Sequence, residues 1–278
     1  ASAELSMIKY LDPRRYAAWA VRKAVFNWHS SRYDEAGFRR EVTRLFADQG
    51  FDYDAAIVRL NEIRASLDRP EYDPQDGMSS VHWVLFAALS LVSPCRRILE
   101  IGTYDGETAQ LLAALFPKAE IVTADLPEDD PILRGFYHRE SDVQLQAFRD
   151  RQQQNLAADN IRFVRRNSFF LPGEVEGKFD LVWVDGGYLY PEVAWDISNA
   201  YHRINAGGWL MMDDVMTHPR ARGDAYVGPE SYQVMEYVRE RAPVEVSYIL
   251  KRFGPQWSAD PRCRKYVGLM RLPGELMD

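Results

Sequence analysis

The fold of this chain is decided by one stretch of its sequence, Arg97-Ile98-Leu99-Glu100-Ile101-Gly102-Thr103-Tyr104-Asp105-Gly106. Its apolar run ends in an acid, two glycines follow, and a helical pattern occupies residues 108–115 directly afterwards. This order predicts a strand, a tight turn and a helix. Glycine lets the backbone approach a ligand where a Cβ atom would clash, and the first helical turn presents unpaired N–H groups to that ligand.

The spacing of the glycines distinguishes between cofactors. A dinucleotide site needs G-x-G-x-x-G, which seats a pyrophosphate at the helix end. Here Tyr104 occupies the place of the second glycine, and Glu100 closes the strand beside the turn. A carboxylate at that point repels phosphate and suits a cationic ligand. The alternative interpretation is an ordinary glycine turn between a strand and a helix.

Two later strand ends carry groups that suit a nucleoside. The run 119–124 ends in Asp125 and Leu126, about 20 residues after the first strand, where an acid typically binds ribose hydroxyls. Asp125 could instead cap a helix. A third short strand, residues 161–164, leads to the polar pair Asn167 and Ser168.

Two further strands are predicted to end in carboxylates. Residues 179–184 are followed by Asp185 and two glycines, and residues 209–212 are followed by Asp213 and Asp214. A helix from residue 191 to residue 204, ended by Ala206-Gly207-Gly208, should connect the two strands. Carboxyl ends of parallel strands meet at one edge of a sheet, so the three acids should repel one another unless Mg²⁺ or a similar cation binds them. Alternatively, Asp185 binds cofactor or caps a helix while Asp213 and Asp214 face solvent.

In order and spacing, residues 93–215 resemble the class I methyltransferases that depend on S-adenosylmethionine (SAM). They are most similar to bacterial metal-dependent O-methyltransferases that act on sugars, macrolides and other secondary metabolites. The resemblance implies a doubly wound α/β fold, with a mostly parallel, seven-stranded Rossmann-like sheet and an N-terminal helical extension. It implies a SAM site that comprises Glu100, Gly102, Thr103, Tyr104, Gly106, Asp125, Leu126, Asn167, Ser168 and Asp185. It implies a divalent metal, Mg²⁺ or another cation, bound by Asp185, Asp213 and Asp214.

The general base is left open by the sequence. Related enzymes often carry His or Lys three residues after the first metal-ligand Asp, where this chain has Tyr188. Tyrosine has an ordinary pKa near 10 and is a poor base at neutral pH unless a cation perturbs it. His218 and Asp185 itself are the other candidates for a catalytic role. Tyr188 could equally pack or stack against substrate.

Composition limits the classes of function. The chain has 278 residues, 46% of them hydrophobic, and a net charge of −7 with a pI near 5.4, which argues against a nucleic-acid partner. Its two cysteines, Cys95 and Cys263, are too few for a disulfide framework and fit a reducing compartment. We recognise no signal peptide and no apolar run long enough to span a bilayer. A cytoplasmic enzyme without stable membrane insertion is therefore expected.

The chain divides into two zones. Residues 1–92 are helix-rich and should form an extension that covers the cofactor or builds a homo-oligomer, and residues 93–278 should form the methyltransferase domain. The insertion 126–160 could be a lid, with residues 136–139 facing substrate. Two strands, 244–250 and 266–271, flank a long basic and aromatic loop.

The sequence thus predicts metal-assisted O-methylation, by SAM, of a hydroxyl on a small molecule, a glycan or a secondary metabolite. One alternative is a non-catalytic SAM-fold binding subunit, for which Tyr188 is the best support. A nicotinamide-dependent oxidoreductase is a weaker alternative, because the middle glycine of its motif is missing at Tyr104.

Overall fold

A seven-stranded sheet forms the centre of the fold in the computed structural model, which describes residues 13–76, 79–135, 141–218 and 227–274. The strand order is β3-β2-β1-β4-β5-β7-β6, and only β7 runs antiparallel to its neighbours. The predicted doubly wound, mostly parallel seven-stranded sheet is confirmed. The strands are β1 Arg97–Ile101, β2 Glu120–Asp125, β3 Ile161–Arg165, β4 Phe179–Val184, β5 Ile204–Val215, β6 Glu245–Leu250 and β7 Tyr266–Arg271.

Helices precede the sheet and connect its strands. In chain order they are α1 Pro13–Ser30, α2 Glu35–Asp48, α3 Tyr53–Ser66, α4 Val81–Val92, α5 Glu107–Leu115, α6 Pro131–Gly135, α7 Asp142–Asn155, α8 Leu171–Glu174, α9 Glu192–His202, α10 Glu230–Arg239 and α11 Pro255–Ser258. Two 3₁₀ turns, Ser168–Phe170 and Pro261–Cys263, complete the set described here. None of the helices in the described ranges is long and apolar enough to cross a membrane. The lid residues proposed above, 136–139, lie outside the described residues.

The strands are apolar because both faces of the sheet are covered. Side chains alternate along a strand, so Ile98 and Trp183 lie in one core while Leu99 and Val182 lie in the other. Trp183 is fully buried and packs edge-on against Phe86 of α4, with ring centroids 5.1 Å apart.

The N-terminal helices share the first of these cores. Phe46 of α2, Leu60 of α3 and Leu89 of α4 are fully buried in the same cluster as Ile98 and Trp183. The expected helical extension is therefore present, and it covers one face of the sheet. The boundary at residues 92 and 93 stays a prediction, because the hydrophobic core runs across it.

The predicted helix from residue 191 to residue 204 ends earlier than its pattern indicated. Helix α9 stops at His202, and Gly207 and Gly208 lie inside β5 instead of ending the helix. Ile204 already pairs with Phe179 of β4, and the register shifts before Leu181. The glycines permit this irregularity, since Gly207 has φ +76° and a Cβ on Gly208 would lie 3.0 Å from the carbonyl oxygen of Asp180.

The last two strands, predicted on either side of the basic and aromatic loop, pair with each other in antiparallel orientation. Because β7 runs antiparallel to both β5 and β6, the end of β6 and the start of β7 lie at the edge where β1, β4 and β5 also end. Lys251 follows β6 and Lys265 precedes β7, and the Lys251 N–H donates to the Lys265 carbonyl over 2.9 Å. The loop between them contains α11 and the second 3₁₀ turn.

Strands β1 and β4 approach closely just beyond their ends. Gly102 has φ +100°, and a Cβ there would overlap the carbonyl oxygen of Asp185. The Asp185 N–H donates to the carbonyl of Ile101 over 2.8 Å. Gly102 is thus required because β4 passes close to the end of β1, whereas the sequence had suggested only that a ligand approaches the backbone there.

We expect Gly102→Ala to lower the free energy of unfolding by about 3 kcal/mol, because the new Cβ meets backbone in a conformation unfavourable to alanine. Gly173→Ala is the control, since a Cβ there meets open space and φ is not positive. It should change stability by less than about 0.5 kcal/mol. Urea unfolding of both variants measures the difference, and equal stabilities would contradict the close approach.

Candidate active site

A cavity of about 440 Å³ opens at the carboxyl ends of β1, β2, β3 and β4. The structure brings together there eight residues that the sequence analysis assigned to the site: Gly102, Tyr104, Asp125, Leu126, Asn167, Ser168, Asp185 and Tyr188. It does not bring Glu100, Thr103, Gly106, Asp213, Asp214 or His218 to the cavity wall. Binding and catalytic roles of all these residues stay predictions.

Asp125 organises the turn after β1. One of its carboxylate oxygens accepts the N–H of Tyr104 and the other accepts the N–H of Leu126, both over 2.7 Å. Tyr104 has φ +47°, a left-handed conformation that asparagine or glycine usually takes. A carboxylate oxygen can accept more than one hydrogen bond, so holding this turn does not prevent Asp125 from binding hydroxyl groups.

Asp185 and Tyr188 form a hydrogen-bonded pair in the opposite wall. The Tyr188 hydroxyl donates to Oδ1 of Asp185. Enclosure in the cavity wall, followed by the charge of nearby Asp213, raises the pKa of Asp185 well above its usual range. Burial, followed by the charges of Asp185, Asp214 and Asp213, also raises the pKa of Tyr188. Tyr188 is therefore a hydrogen-bond donor here, and Asp185 is the better proton acceptor of the two.

Two lysines neutralise the acids at the end of β5. The Lys251 ammonium lies 2.5 Å from Oδ2 of Asp213 and 2.6 Å from Oδ1 of Asp214, and Lys265 lies 2.7 Å from Oδ2 of Asp214. Burial opposes ionisation of Asp214, but the two ammonium groups hold its pKa down at about 2. Burial raises the pKa of Asp213.

The magnesium site expected from Asp185, Asp213 and Asp214 does not fit this arrangement. Three of the four carboxylate oxygens of Asp213 and Asp214 already accept hydrogen bonds from Lys251 or Lys265. Across the described part of the chain, no group of three or more His, Cys, Asp or Glu side chains is arranged to hold a metal. We therefore derive no catalytic step through a metal.

The comparisons with known proteins agree with this geometry. Residues 99–215 match a family model described as a methyltransferase domain. This segment is a methyltransferase domain. The prediction of a class I SAM-dependent methyltransferase is thus confirmed for the segment that carries the cavity. No curated protein sequence matches the chain.

Several solved structures share the fold of this chain. The O-methyltransferase TomG from Streptomyces achromogenes, involved in tomaymycin synthesis and solved with SAM, has 21% identity and a TM-score of 0.50, over 88% of this chain and 99% of that one. Cofactor-bound Rv0187 from MTB has 18% identity and a TM-score of 0.52, over 79% and 90%. An O-methyltransferase from Bacillus cereus with SAH has 14% identity and a TM-score of 0.50, over 84% and 97%.

Glu100 lies beneath the cofactor turn of the methyltransferase domain. It is fully buried, and its Oε2 accepts the hydroxyl of Thr123, which also contacts the hydroxyl of Thr103. Burial raises the pKa of Glu100 to about 8. Because β1 continues to Ile101, Glu100 is buried within the strand and does not line the cavity, and its contact with the cofactor stays a prediction.

Gly106 likewise does not line the cavity, and its lack of a side chain serves packing within the protein. It has φ +81° and precedes α5, where a Cβ would lie 2.9 Å from the side chain of Leu156. The second glycine of the motif therefore makes room for the residue that follows α7.

His218 is exposed, with Nδ1 2.9 Å from the Thr217 hydroxyl, and it does not line the cavity. A different histidine lies near the acids. His82 of α4 is buried, its Nδ1 is 2.7 Å from the Ser80 hydroxyl and 3.8 Å from Oδ1 of Asp213, and burial lowers its pKa. The sequence analysis did not identify His82 as a residue near the site, and Ser80, which precedes α4, directs its hydroxyl to this ring.

Lys251 and Lys265 were missed as site residues too, although a signal was available. The same rule that brought three acids to one sheet edge applies to a hairpin whose last strand is antiparallel. It places the residue after β6 and the residue before β7 at that edge.

Glu100 should make stability depend on pH. Its folded pKa of about 8 exceeds the unfolded value, so its contribution is complete below about pH 4 and is lost as pH rises to about 8. Relative to Glu100→Gln, the wild-type free energy of unfolding should fall by about 1.4 kcal/mol per pH unit between these limits. Urea unfolding at pH 5, 6.5 and 8 measures this.

Glu176→Gln is the matched control, because Glu176 is exposed and its removal also deletes one negative charge. Parallel pH profiles for the wild type and Glu100→Gln would show that the buried carboxyl is not held in its neutral form.

Proposed function

We propose that this methyltransferase transfers the methyl group of SAM to a hydroxyl oxygen of a small molecule, a glycan or a secondary metabolite. The observation that carries the proposal is one cavity whose wall holds both a nucleoside-type acid, Asp125, and the Asp185–Tyr188 pair. SAM or SAH in the TomG and B. cereus structures supports the choice of cofactor.

The cofactor's nucleoside would lie against β2 and the loop after β3. Asp125 lies on the cavity wall, and its two acceptor oxygens suit the two vicinal hydroxyls of a ribose. Leu126 offers apolar contact, and Asn167 and Ser168 offer polar groups to the adenine. Gly102 and Tyr104 line the turn that would face the methionine half. Glu100, Thr103 and Gly106 then support that turn from below.

The chemistry follows from the position of Asp185. In-line displacement forms the bond between the substrate oxygen and the methyl carbon while the carbon–sulfur bond breaks, and the electron pair leaves with sulfur in SAH. The substrate proton goes to the Asp185 carboxylate, because burial raises the pKa of this group and so strengthens its hold on a proton. Tyr188 fixes Oδ1 of that carboxylate and leaves Oδ2 for the substrate. Positioning supplies much of the remaining rate.

The class of acceptor is supported only by resemblance. TomG takes part in tomaymycin synthesis, so hydroxylated secondary metabolites and sugars are the first acceptors to test. Metal assistance, which the sequence suggested, is not part of the proposal, since Lys251 and Lys265 already neutralise Asp213 and Asp214. A homo-oligomer, a cytoplasmic location and the absence of a nucleic-acid partner remain predictions.

We expect Asp185→Asn to lower the methyl transfer rate by about 10²–10³-fold, because the substrate proton loses its acceptor. The dissociation constant of SAM, measured by calorimetry, should change far less. Tyr188→Phe should cost about tenfold, since it removes only the hydrogen bond that orients Asp185. SAH formation across a panel of hydroxyl acceptors gives the rates, and full turnover by Asp185→Asn would exclude it as the base.

We expect Asp125→Ala to weaken SAM binding by about 10–100-fold, because it removes the acceptor for the ribose hydroxyls and frees the Tyr104 turn. Asp129→Ala is the control, an exposed acid in the same loop. Calorimetric titration with SAM should leave the control unchanged. Equal affinities for all three proteins would remove Asp125 from the cofactor site.

A further inference from the structure

The last hairpin delivers a cation to the acids of β5. Lys251 is only 4% exposed, although it follows a strand at the rim of the sheet. Its backbone is held from two sides, because its N–H donates to the Lys265 carbonyl and its own carbonyl accepts the N–H of Val81, each over 2.9 Å. This lysine is built into the site, unlike a surface side chain that can swing away.

A bulge in β5 lets both acids reach that one ammonium group. Successive side chains of a regular strand point to opposite faces, so Asp213 and Asp214 should diverge. The pairing of β5 with β7 instead shifts register between Met212 and Val215, and Asp214 has φ +50°. The bulge redirects one side chain, and Lys251 contacts both carboxylates within 2.6 Å.

We propose that the Lys251 ammonium is the resident cation of this methyltransferase, in the place between Asp213 and Asp214 that a divalent metal would otherwise take. Methyl transfer then proceeds without a divalent metal. For its activity measurements the proposal rests on the proposed function, but its binding measurements do not.

The oxygens themselves support this assignment. Among the described residues, lysine nitrogens take three of the four carboxylate oxygens of Asp213 and Asp214. The fourth, Oδ1 of Asp213, is buried without a hydrogen-bond partner there and lies 3.8 Å from His82. Mg²⁺ keeps several waters but still needs carboxylate oxygens among its about six ligands, and in this pair only one oxygen is not already bonded to lysine.

The charges agree with the geometry. Lys251 and Lys265 carry two positive charges against the two negative charges of Asp213 and Asp214, so this group has no surplus to attract a dication. A dication beside the ammonium group would also be repelled strongly in a buried site. The charge of Lys251 also lowers the pKa of Asp185, against the effect of Asp213, and so favours the ionised carboxylate that a proton acceptor must be. Lys251 is thus a positioning residue that acts through the carboxylates.

The test uses Mn²⁺ alone as the probe, on the full chain after treatment with EDTA. We expect no binding by the wild type at about 1 mM Mn²⁺, measured by electron paramagnetic resonance. Lys251→Met should bind one Mn²⁺ at least about tenfold more tightly, because it frees two buried oxygens, and Asp213→Asn in that background should abolish the site. Lys265→Met is the matched control, since it frees only one oxygen and should bind none.

Activity measurements distinguish failure of this proposal from failure of the proposed methyltransferase function. Wild-type methyl transfer should be unchanged by EDTA, and Lys251→Arg should keep both the charge and the absence of Mn²⁺ binding. Should Lys251→Met fail to fold, Lys251→Gln and the wild-type titration replace it. Two results would overturn the proposal. One is that the wild type binds Mn²⁺ tightly and that Asp213→Asn abolishes this binding, and the other is that Lys251→Met folds but binds no Mn²⁺. Failure to find any methyl transfer would count against the proposed function alone.

Discussion

Buried negative charge at the carboxyl edge of the sheet is the constraint on which this site depends. Asp213 and Asp214 lie near the end of β5, where water cannot solvate them fully, so each needs a cation within hydrogen-bond reach. Lys251 and Lys265 supply that charge from the two ends of the last hairpin. The hairpin is therefore more than an edge of the sheet, because its position determines the electrostatics beside Asp185.

The sequence predicted the elements that local pattern controls. Apolar runs followed by Asp125, Asp185 and the Asp213–Asp214 pair located the strand ends, and the parallel arrangement then placed them at one edge. Glu100 could not be placed this way, because its environment depends on whether β1 stops before or after Ile101. That end point is set by pairing with β2 and β4, where Glu100 lies opposite Thr123 and Trp183.

The cations escaped prediction for a related reason. Asp213 lies on β5 and Lys251 follows β6, and these two strands are not neighbours in the sheet, since β7 lies between them. The contact of Lys251 with both acids also depends on the bulge at Asp214, and no glycine at that position indicates a bulge in the sequence. A chain with acids at three strand ends was therefore compatible with a metal or with lysine, and only the tertiary arrangement distinguishes the two.

One backbone hydrogen bond has a consequence for how the chain reaches this state. The N–H of Val81, at the start of α4, donates to the carbonyl of Lys251. Segments far apart in the sequence thus meet at the acids, and closing such long loops is slow because their entropy is lost before the contact forms. During synthesis β5 emerges before β6, so its two carboxylates wait without their ammonium partner. The charge balance of these two carboxylates is therefore completed only when the final hairpin docks beside β5.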